Sequence, residues 1–414
     1  MNRLGRAVRD TAGGLPGQFW ALWAATLINR AGGFVIIFLA LYLTAERGFS
    51  PSAAGLVVGL YGAGGAIGVT IGGYLTDRWG RRPTALSALG SASALMVVLG
   101  LAGQPSTIMI AAAALGVTAE AARPPLGAMI ADIIPDTDRM RAFSVYYWAI
   151  NLGFAVAAIL AGFAAQAGYL TLFVIDAATT AGAAILIAVK VRETRPVAHA
   201  ATAAHAGSLR TVLADRVFLG FVICNLLVAL VVLQHMSMLP IAMRADGLSS
   251  RTFGLVIALN GILIVAGQLF VTRLLRDRRP TLVLAASAVV LGAGFGLTAL
   301  ADTPIGYAAT VLIWTCGEML NAPANAALLA SLSPATMRGR YQGAFGLSWQ
   351  VASFGAPVLG GLVQQAAGAT WLWLGCLALG LLAGGWNLAA APARERHAAG
   401  LGVPAAPRED LVKI

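Results

Sequence analysis

Twelve apolar runs dominate the chain, at 18–43, 53–75, 84–104, 106–134, 142–166, 169–189, 217–243, 252–274, 281–300, 304–332, 341–366 and 369–391. In chain order these are spans 1 to 12. A run of about 20 apolar residues is enough for a helix to cross a ~30 Å hydrocarbon core. Only 11% of the 414 residues are charged and 58% are hydrophobic, with a mean hydropathy of +0.79. A soluble chain carries roughly 25% charged residues, so too few remain here to cover a water-facing surface. The expected class is an all-α integral membrane protein with twelve transmembrane helices.

The net charge of +11 is explained by where the cations fall. With the start placed inside, twenty-three of the 28 Lys and Arg lie on the cytoplasmic side. Arg47, Arg244 and Arg251 lie opposite, and Arg30 and Arg123 lie within spans. This asymmetry is the positive-inside pattern. It puts both termini in the cytoplasm and makes the basic balance a report on topology, so no nucleic-acid partner is expected. Cys224, Cys316 and Cys376 sit in apolar spans at unrelated spacings and read as small buried hydrophobes, with neither disulfide nor metal site. The basic, then apolar N-terminus has too long an apolar run for a signal peptide and reads as the first helix.

Sliding the chain against itself by 199 positions brings Gly48, Ser50, Gly55 and Gly62 onto Gly247, Ser249, Gly254 and Gly261. At the same shift Pro124, Arg139, Arg141 and Gly162 meet Pro323, Arg338, Arg340 and Gly361. Shared lipid-facing composition would pair Leu with Leu, but it would not keep Gly, Pro and loop Arg in register. The expected organisation is a six-helix bundle over 1–189, a cytoplasmic linker over 190–216, and a second bundle with a cytoplasmic tail over 217–414. His199 and His205 in the Ala-rich linker read as solvent-exposed filler. Paired six-helix repeats are an architecture of secondary transporters, with the binding site near the bilayer midplane.

Between spans 2 and 3 stands GGYLTDRWGRRPT. Its pattern Gly73-x-Leu75-x-Asp77-Arg78-x-Gly80-Arg81-Arg82 resembles the loop signature of the major facilitator superfamily, and the spans, repeat and linker extend that resemblance over the whole chain. Gly73 and Gly80 would permit close packing and a tight turn. Arg78, Arg81 and Arg82 either hold the loop in the cytoplasm, as topology alone requires, or also act in a latch. The resemblance implies that Asp77 docks at the cytoplasmic start of span 11, where exposed N–H groups favour an anion. Arg81 is expected to meet Asp132 at the end of span 4. Together these contacts would latch the halves and favour an outward-open state. The second half keeps Arg279-Pro280-Thr281 against Arg82-Pro83-Thr84 but lacks the two glycines, so one latch is expected.

Ionisable groups within a bilayer face a cavity or a partner because lipid exposure is costly. Span 1 carries Asn29 and Arg30, span 4 Glu120 and Arg123, span 7 Gln234 and His235, and span 10 Glu318, Asn321 and Asn325. In the family these four helices line the central cavity. Glu120 and Arg123 are three residues apart, as are Glu318 and Asn321, so each pair shares a helical face. Two readings stand: static ion pairs that fix packing, or carboxylates that exchange protons as their surroundings alternate. Asp176 in span 6 either bonds within the bundle or forms a second proton site. His235 reads as structural. Trp148, Trp314 and Trp349 are candidates to stack on a hydrophobic substrate.

The antiporter branch of the family carries a Gly-Pro signature in span 5, where this chain has Ala157-Ala158, and an arginine near Ala112, for which Arg123 is the candidate substitute. The overall texture still resembles exporters. The resulting expectation is proton-coupled efflux of small amphipathic organic molecules, drugs or natural products, by a protein of the bacterial cytoplasmic membrane. The alternatives are proton-coupled uptake of a nutrient and a transporter-like sensor. No cofactor is expected beyond the proton gradient as energy source. The partners are substrate, protons and lipid, the chain acts as a monomer, and no nucleophile–base or nucleotide-binding pattern marks an enzyme.

Overall fold

A computed structural model describes residues 13–135, 137–194, 209–275, 278–334 and 337–401. His199, His205 and both extreme termini lie outside the described residues. Every apolar run is helical, and among the described residues no strand is present. The protein is therefore an all-α, multi-pass membrane protein. Among the described residues ten helical spans are long and apolar enough to cross a membrane. Spans 10 and 11 are also helical, over Pro304–Leu332 and Arg338–Ala367, but fall outside that ten. Span 10 carries Glu318, Asn321 and Asn325, and span 11 carries Arg340, Gln342 and Gln350, which lower their hydropathy.

The repeat is reproduced in the turn chemistry. Gly48 and Gly247, 199 positions apart, both take the left-handed backbone, at φ of 66° and 77°. Two residues on, Ser50 Oγ accepts from Ala53 N at 3.3 Å, and Ser249 Oγ accepts from Thr252 N at 3.1 Å. Each serine thus caps the helix that follows it.

Among the described residues three spans are broken. Span 1 runs as Gly17–Ala31 and Phe34–Ala45, span 4 as Pro105–Ala121 and Arg123–Ile133, and span 7 as Arg216–Val232 and Gln234–Ala245. The break in span 7, at Leu233, falls within two residues of the repeat equivalent of the span 1 break, although Gly32-Gly33 in one is Val231-Val232 in the other. In span 4 the cause is local: Pro124 and Pro125 lack the N–H needed to continue the ladder. The equivalent Pro323 lies inside an unbroken span 10.

The chain forms two compact units. The first gathers the described residues up to 194 with His235–265 and 357–362; the second gathers 209–234, 266–356 and 363–401. In the first, spans 2 and 4 meet backbone to backbone. A Cβ on Gly64, Gly68 or Gly72 would stand 2.1, 2.1 or 2.3 Å from a carbonyl oxygen of span 4, and one on Gly116 would stand 2.0 Å from Tyr61 O. Without a hydrophobic drive between helices in lipid, such small residues allow the close van der Waals contact that holds them. Phe19, Leu22, Met129, Ile130 and Ile187 fill one end of this unit. The second unit repeats the device where Gly292 and Gly380 face each other. Phe218, Phe221, Leu328 and Tyr341 form part of its core.

Two expectations change. Gly73 has open space where a Cβ would stand, and its neighbour Gly72 makes the close approach, because successive helical residues face about 100° apart. Cys224 and Cys376 are buried, but Cys316 is exposed.

Candidate functional site

The break in span 1 is built by glycine and closed by a distant carboxylate. Gly33 sits at φ −69° and ψ 63°, and Phe34 N donates back to Gly32 O at 2.7 Å, a tight three-residue turn. The new helix therefore starts with unsatisfied N–H groups. Asp176 Oδ2 on span 6 accepts the Val35 N–H at 2.9 Å. The carboxylate is buried, and its Oδ1 accepts from Thr180 Oγ1 at 3.4 Å. Thr180 in turn accepts from Asn29 Nδ2 at 2.9 Å. Arg30, half-buried, is within electrostatic reach of Asp176. Gly32 and Gly153 make room: a Cβ on Gly32 would stand 1.9 Å from Thr179 Oγ1, and one on Gly153 would stand 2.5 Å from Arg30 Cβ.

The break in span 4 lies between its two charges. Arg123 Nη1 meets Glu120 Oε2 at 2.8 Å, joining the last turn of one segment to the first residue of the next. Glu120 is the more enclosed partner, at 20% side-chain exposure against 56%. Gly65 on span 2 opens space for it, since a Cβ there would stand 3.0 Å from Glu120 Cγ. Tyr61, one turn before Gly65, lies within electrostatic reach of Glu120, Arg30, Asp176 and Arg123. The first unit thus gathers two cations, two carboxylates and a phenol around one stretch of span 2.

The polar residues of spans 7 and 10 are placed differently. Asn325 Nδ2 donates to Asn225 Oδ1 at 3.1 Å and to Asn321 Oδ1. Asn321 Nδ2 donates to Ser287 Oγ at 3.0 Å, and Asn225 Nδ2 donates to Ser348 Oγ at 2.7 Å. This neutral ladder ties spans 7, 9, 10 and 11 and uses the asparagine amides inside the second unit. Gln234 Nε2 donates to Ala356 O at 2.9 Å, beside the break in span 7. His235 is buried and Glu318 half-buried. Trp314 is fully buried and stacks on Phe295 with ring centroids 5.2 Å apart, so it packs the core and does not present a face to substrate.

At the turn between spans 2 and 3, Arg81 Nε donates to Asp132 Oδ2 at 2.9 Å, and its Nη1 donates to Thr76 O at 3.3 Å. Asp77 is 85% exposed and lies 3.7 Å from Arg81. Gly80, at φ 112°, starts the next helix. Arg82 Nη2 donates to Ala188 O at 2.6 Å, and Arg78 Nη1 donates to Tyr74 Oη at 2.7 Å.

Sequence reasoning missed three residues here. Glu193, just past span 6, accepts from Arg81 N and Arg82 N, so it caps span 3 from 112 and 111 positions away. Thr180 links Asn29 to Asp176, and Tyr61 stands among the four charges. An acid at the end of an apolar run, four residues after Asp176 a hydroxyl, and a tyrosine among glycines are ordinary in sequence and carry no signal alone.

Broken helices around buried charge, in a multi-pass chain built from a repeated half, define a secondary transporter. The family profile described as Major Facilitator Superfamily matches residues 22–357. The chain belongs to that superfamily. It is 24% identical to the uncharacterized MFS-type transporter YqjV of Bacillus subtilis (strain 168), over 84% of this chain and 87% of that one. It is 23% identical to a Na(+), Li(+), K(+)/H(+) antiporter of Planococcus maritimus, over 80% of this chain and 85% of that one. Among solved structures, a peptide transporter POT superposes with a TM-score of 0.78 at 16% identity, covering 95% of this chain and 99% of that one. A bacterial homologue of the human lysosomal transporter Spinster gives 0.75 at 16% identity, covering 90% and 96%. At these identities the two structures speak for the fold.

Proposed function

We propose that this superfamily member is a proton-coupled exporter of small amphipathic organic molecules, working by alternating access in the cytoplasmic membrane. The observation that carries the reading is the gathering of Arg30, Tyr61, Glu120, Arg123 and Asp176 inside one unit. Buried charge is expensive in lipid and marks ion or substrate pathways. Here the opposed charges nearly balance, so adding one proton to a carboxylate changes the local charge by a full unit. Glu120 is held by Arg123 in the present geometry, and a proton would loosen that ion pair and free the guanidinium. Glu318 would serve in the same way in the second unit. The relative from Planococcus maritimus, named as a cation/proton antiporter, supports proton exchange as the energy source.

The latch belongs to the same proposal. Arg81 and Asp132 hold the loop that presents Asp77, and the docking of Asp77 at span 11 would favour the outward-open state. The functional halves are 1–189 and 217–414, both termini are cytoplasmic, and the chain works as a monomer.

The test is transport in proteoliposomes under an imposed pH gradient, with ethidium as an amphipathic probe. Wild type moves the probe against the proton flux, and Glu120→Gln and Glu318→Gln each abolish the response. Gradient-driven transport that survives in both single variants rejects the carboxylate mechanism. A second reading, proton-coupled uptake, is favoured by Ala157-Ala158 in place of Gly-Pro in span 5. In cells it raises the content of the transported molecule, whereas export lowers it.

A further inference from the structure

We infer that Asp176 is a proton-operated clasp on the hinge of span 1: its carboxylate closes the break, and a proton on it releases the second segment, Phe34–Ala45. The inference rests on the proton-coupled reading above and assigns the moving part.

The carboxylate is 2% exposed and sits two turns into span 6, so charge there needs specific support. That support is present. Oδ2 takes the Val35 N–H at 2.9 Å, in the first turn of a helix whose N-terminus carries partial positive charge. Oδ1 takes the Thr180 hydroxyl at 3.4 Å, and Arg30 lies within electrostatic reach. All of these hold the charged carboxylate against the closed hinge. A proton arriving from water on Oδ2 makes it a weaker, neutral acceptor and cancels the attraction to the helix end. Val35 N, on a residue only 3% exposed, then loses its charge-assisted bond and keeps at most a weaker neutral one. The proton later returns to water, and no other bond forms or breaks.

What moves is defined by the neighbours. Gly32 and Gly33 have no side chain to resist rotation, and Gly32 lies directly on Thr179 of span 6. The relay from Asn29 through Thr180 to Asp176, with donor–acceptor distances of 2.9 and 3.4 Å, connects the carboxylate to the residue beside Arg30. A change at Asp176 therefore reaches Arg30, the cation next to the hinge.

The groups around Asp176 favour a proton over a metal cation. Span 1 presents Arg30, which repels a second cation. Span 2 presents Tyr61, which also senses Glu120 and Arg123 of span 4. Span 3 presents only neutral groups: Ser93 donates to Ala177 O at 2.8 Å, and Met96 Sδ lies 3.9 Å from Thr180 Oγ1. Span 5 presents Gly153, and its Tyr146 reaches Arg123. Both carboxylate oxygens already face donors, whereas a hard metal cation takes several oxygen ligands.

The experiment has two arms. In the first, wild-type protein is exchanged into deuterated buffer at several pH values, and the peptide carrying Val35 is followed after correction for the intrinsic pH dependence of amide exchange. Protection at Val35 is expected to fall as the pH is lowered; protection that does not change with pH overturns the inference. In the second, proteoliposomes are loaded with ethidium and a pH gradient is imposed. Asp176→Asn keeps an acceptor but cannot titrate. Its gradient-driven transport is expected to fall at least about tenfold, and whatever exchange it retains at equal pH is expected to be flat with pH. A variant with the wild-type pH profile overturns the clasp. Wild type that ignores both pH gradient and bulk pH overturns the proton-coupled reading itself. Loss of Val35 protection on replacing sodium with a large organic cation, at fixed pH, would make the site a metal-ion site and also overturns the inference.

Discussion

Glu193 accepts the backbone N–H of Arg81 through Oε1 at 3.0 Å and that of Arg82 through Oε2 at 3.1 Å. A single side chain from the end of span 6 thus satisfies two of the four orphan donors at the start of span 3. The same loop is tied below by Thr194 Oγ1, which donates to Asp132 Oδ2 at 3.1 Å. Removing the carboxylate in Glu193→Ala is expected to cost about 1 kcal/mol, the usual worth of a cap. The check is a lower unfolding midpoint in detergent, with Glu193→Gln losing less because it keeps one acceptor.

Asp77 tests the latch separately from the fold. It is 85% exposed and contributes little to stability where it stands, because an exposed ion pair is worth about 0–1 kcal/mol. Asp77→Asn is therefore expected to unfold at the wild-type midpoint while transport slows. If the variant reaches the membrane and transports at the normal rate, Asp77 has no part in the latch.

Gly72 and Gly73 make an internal comparison one residue apart. A Cβ at Gly72 would meet Ala121 O at 2.3 Å, whereas one at Gly73 meets nothing within 4 Å. Gly72→Ala should destabilise by at least ~1–3 kcal/mol, the cost of overpacking, since a backbone atom cannot rotate away. Gly73→Ala should be neutral or stabilise by up to ~1 kcal/mol through better helix propensity. Equal melting curves for the two variants would show that spans 2 and 4 do not pack as described.

The Glu120–Arg123 pair separates stability from transport. Arg123→Ala leaves an enclosed carboxylate without its cation and is expected to lower both stability and transport. Exchanging the two residues, Glu120→Arg with Arg123→Glu, restores the pair across the break. Thermal stability should recover by more than half of the loss, while proton-driven transport stays at least about tenfold down because the carboxylate has moved by one helical turn. Recovery of both would mark the pair as structural.

Asn325 is expected to act on folding and not on substrate. It is 8% exposed and joins Asn225 to Asn321. Asn325→Ala strands two buried carbonyl groups, at about 1–3 kcal/mol for each group left without a partner. Its unfolding midpoint should drop, and the substrate concentration for half-maximal transport should hold. A raised half-maximal concentration with unchanged stability would return Asn325 to the binding site.

Much of the architecture was legible in the chain. The helical spans, the repeat at 199 positions and the loop before span 3 all rest on local composition or on identity in register. The Glu120–Arg123 contact was also legible, because residues three apart on a helix share a face. Other features were not. Asn321 and Asn325 look like candidates for a binding site, yet their amides serve a ladder to Asn225, Ser287 and Ser348. Tyr61, Thr180 and Glu193 drew no attention, since each is unremarkable until its partner is known. Trp314 offered an aromatic face that Phe295 already covers.

By itself, the sequence determined that this chain lives in a bilayer as a series of apolar helices and which superfamily it joins. Those properties follow from solvent: hydrocarbon selects apolar runs by length and rejects charge, one segment at a time. Only the tertiary structure decided that Asp176 closes span 1 from 141 positions away, or that Glu193 caps span 3 from 112. A hydrogen bond needs atoms about 3 Å apart, and which distant residues come that close depends on how the helices pack.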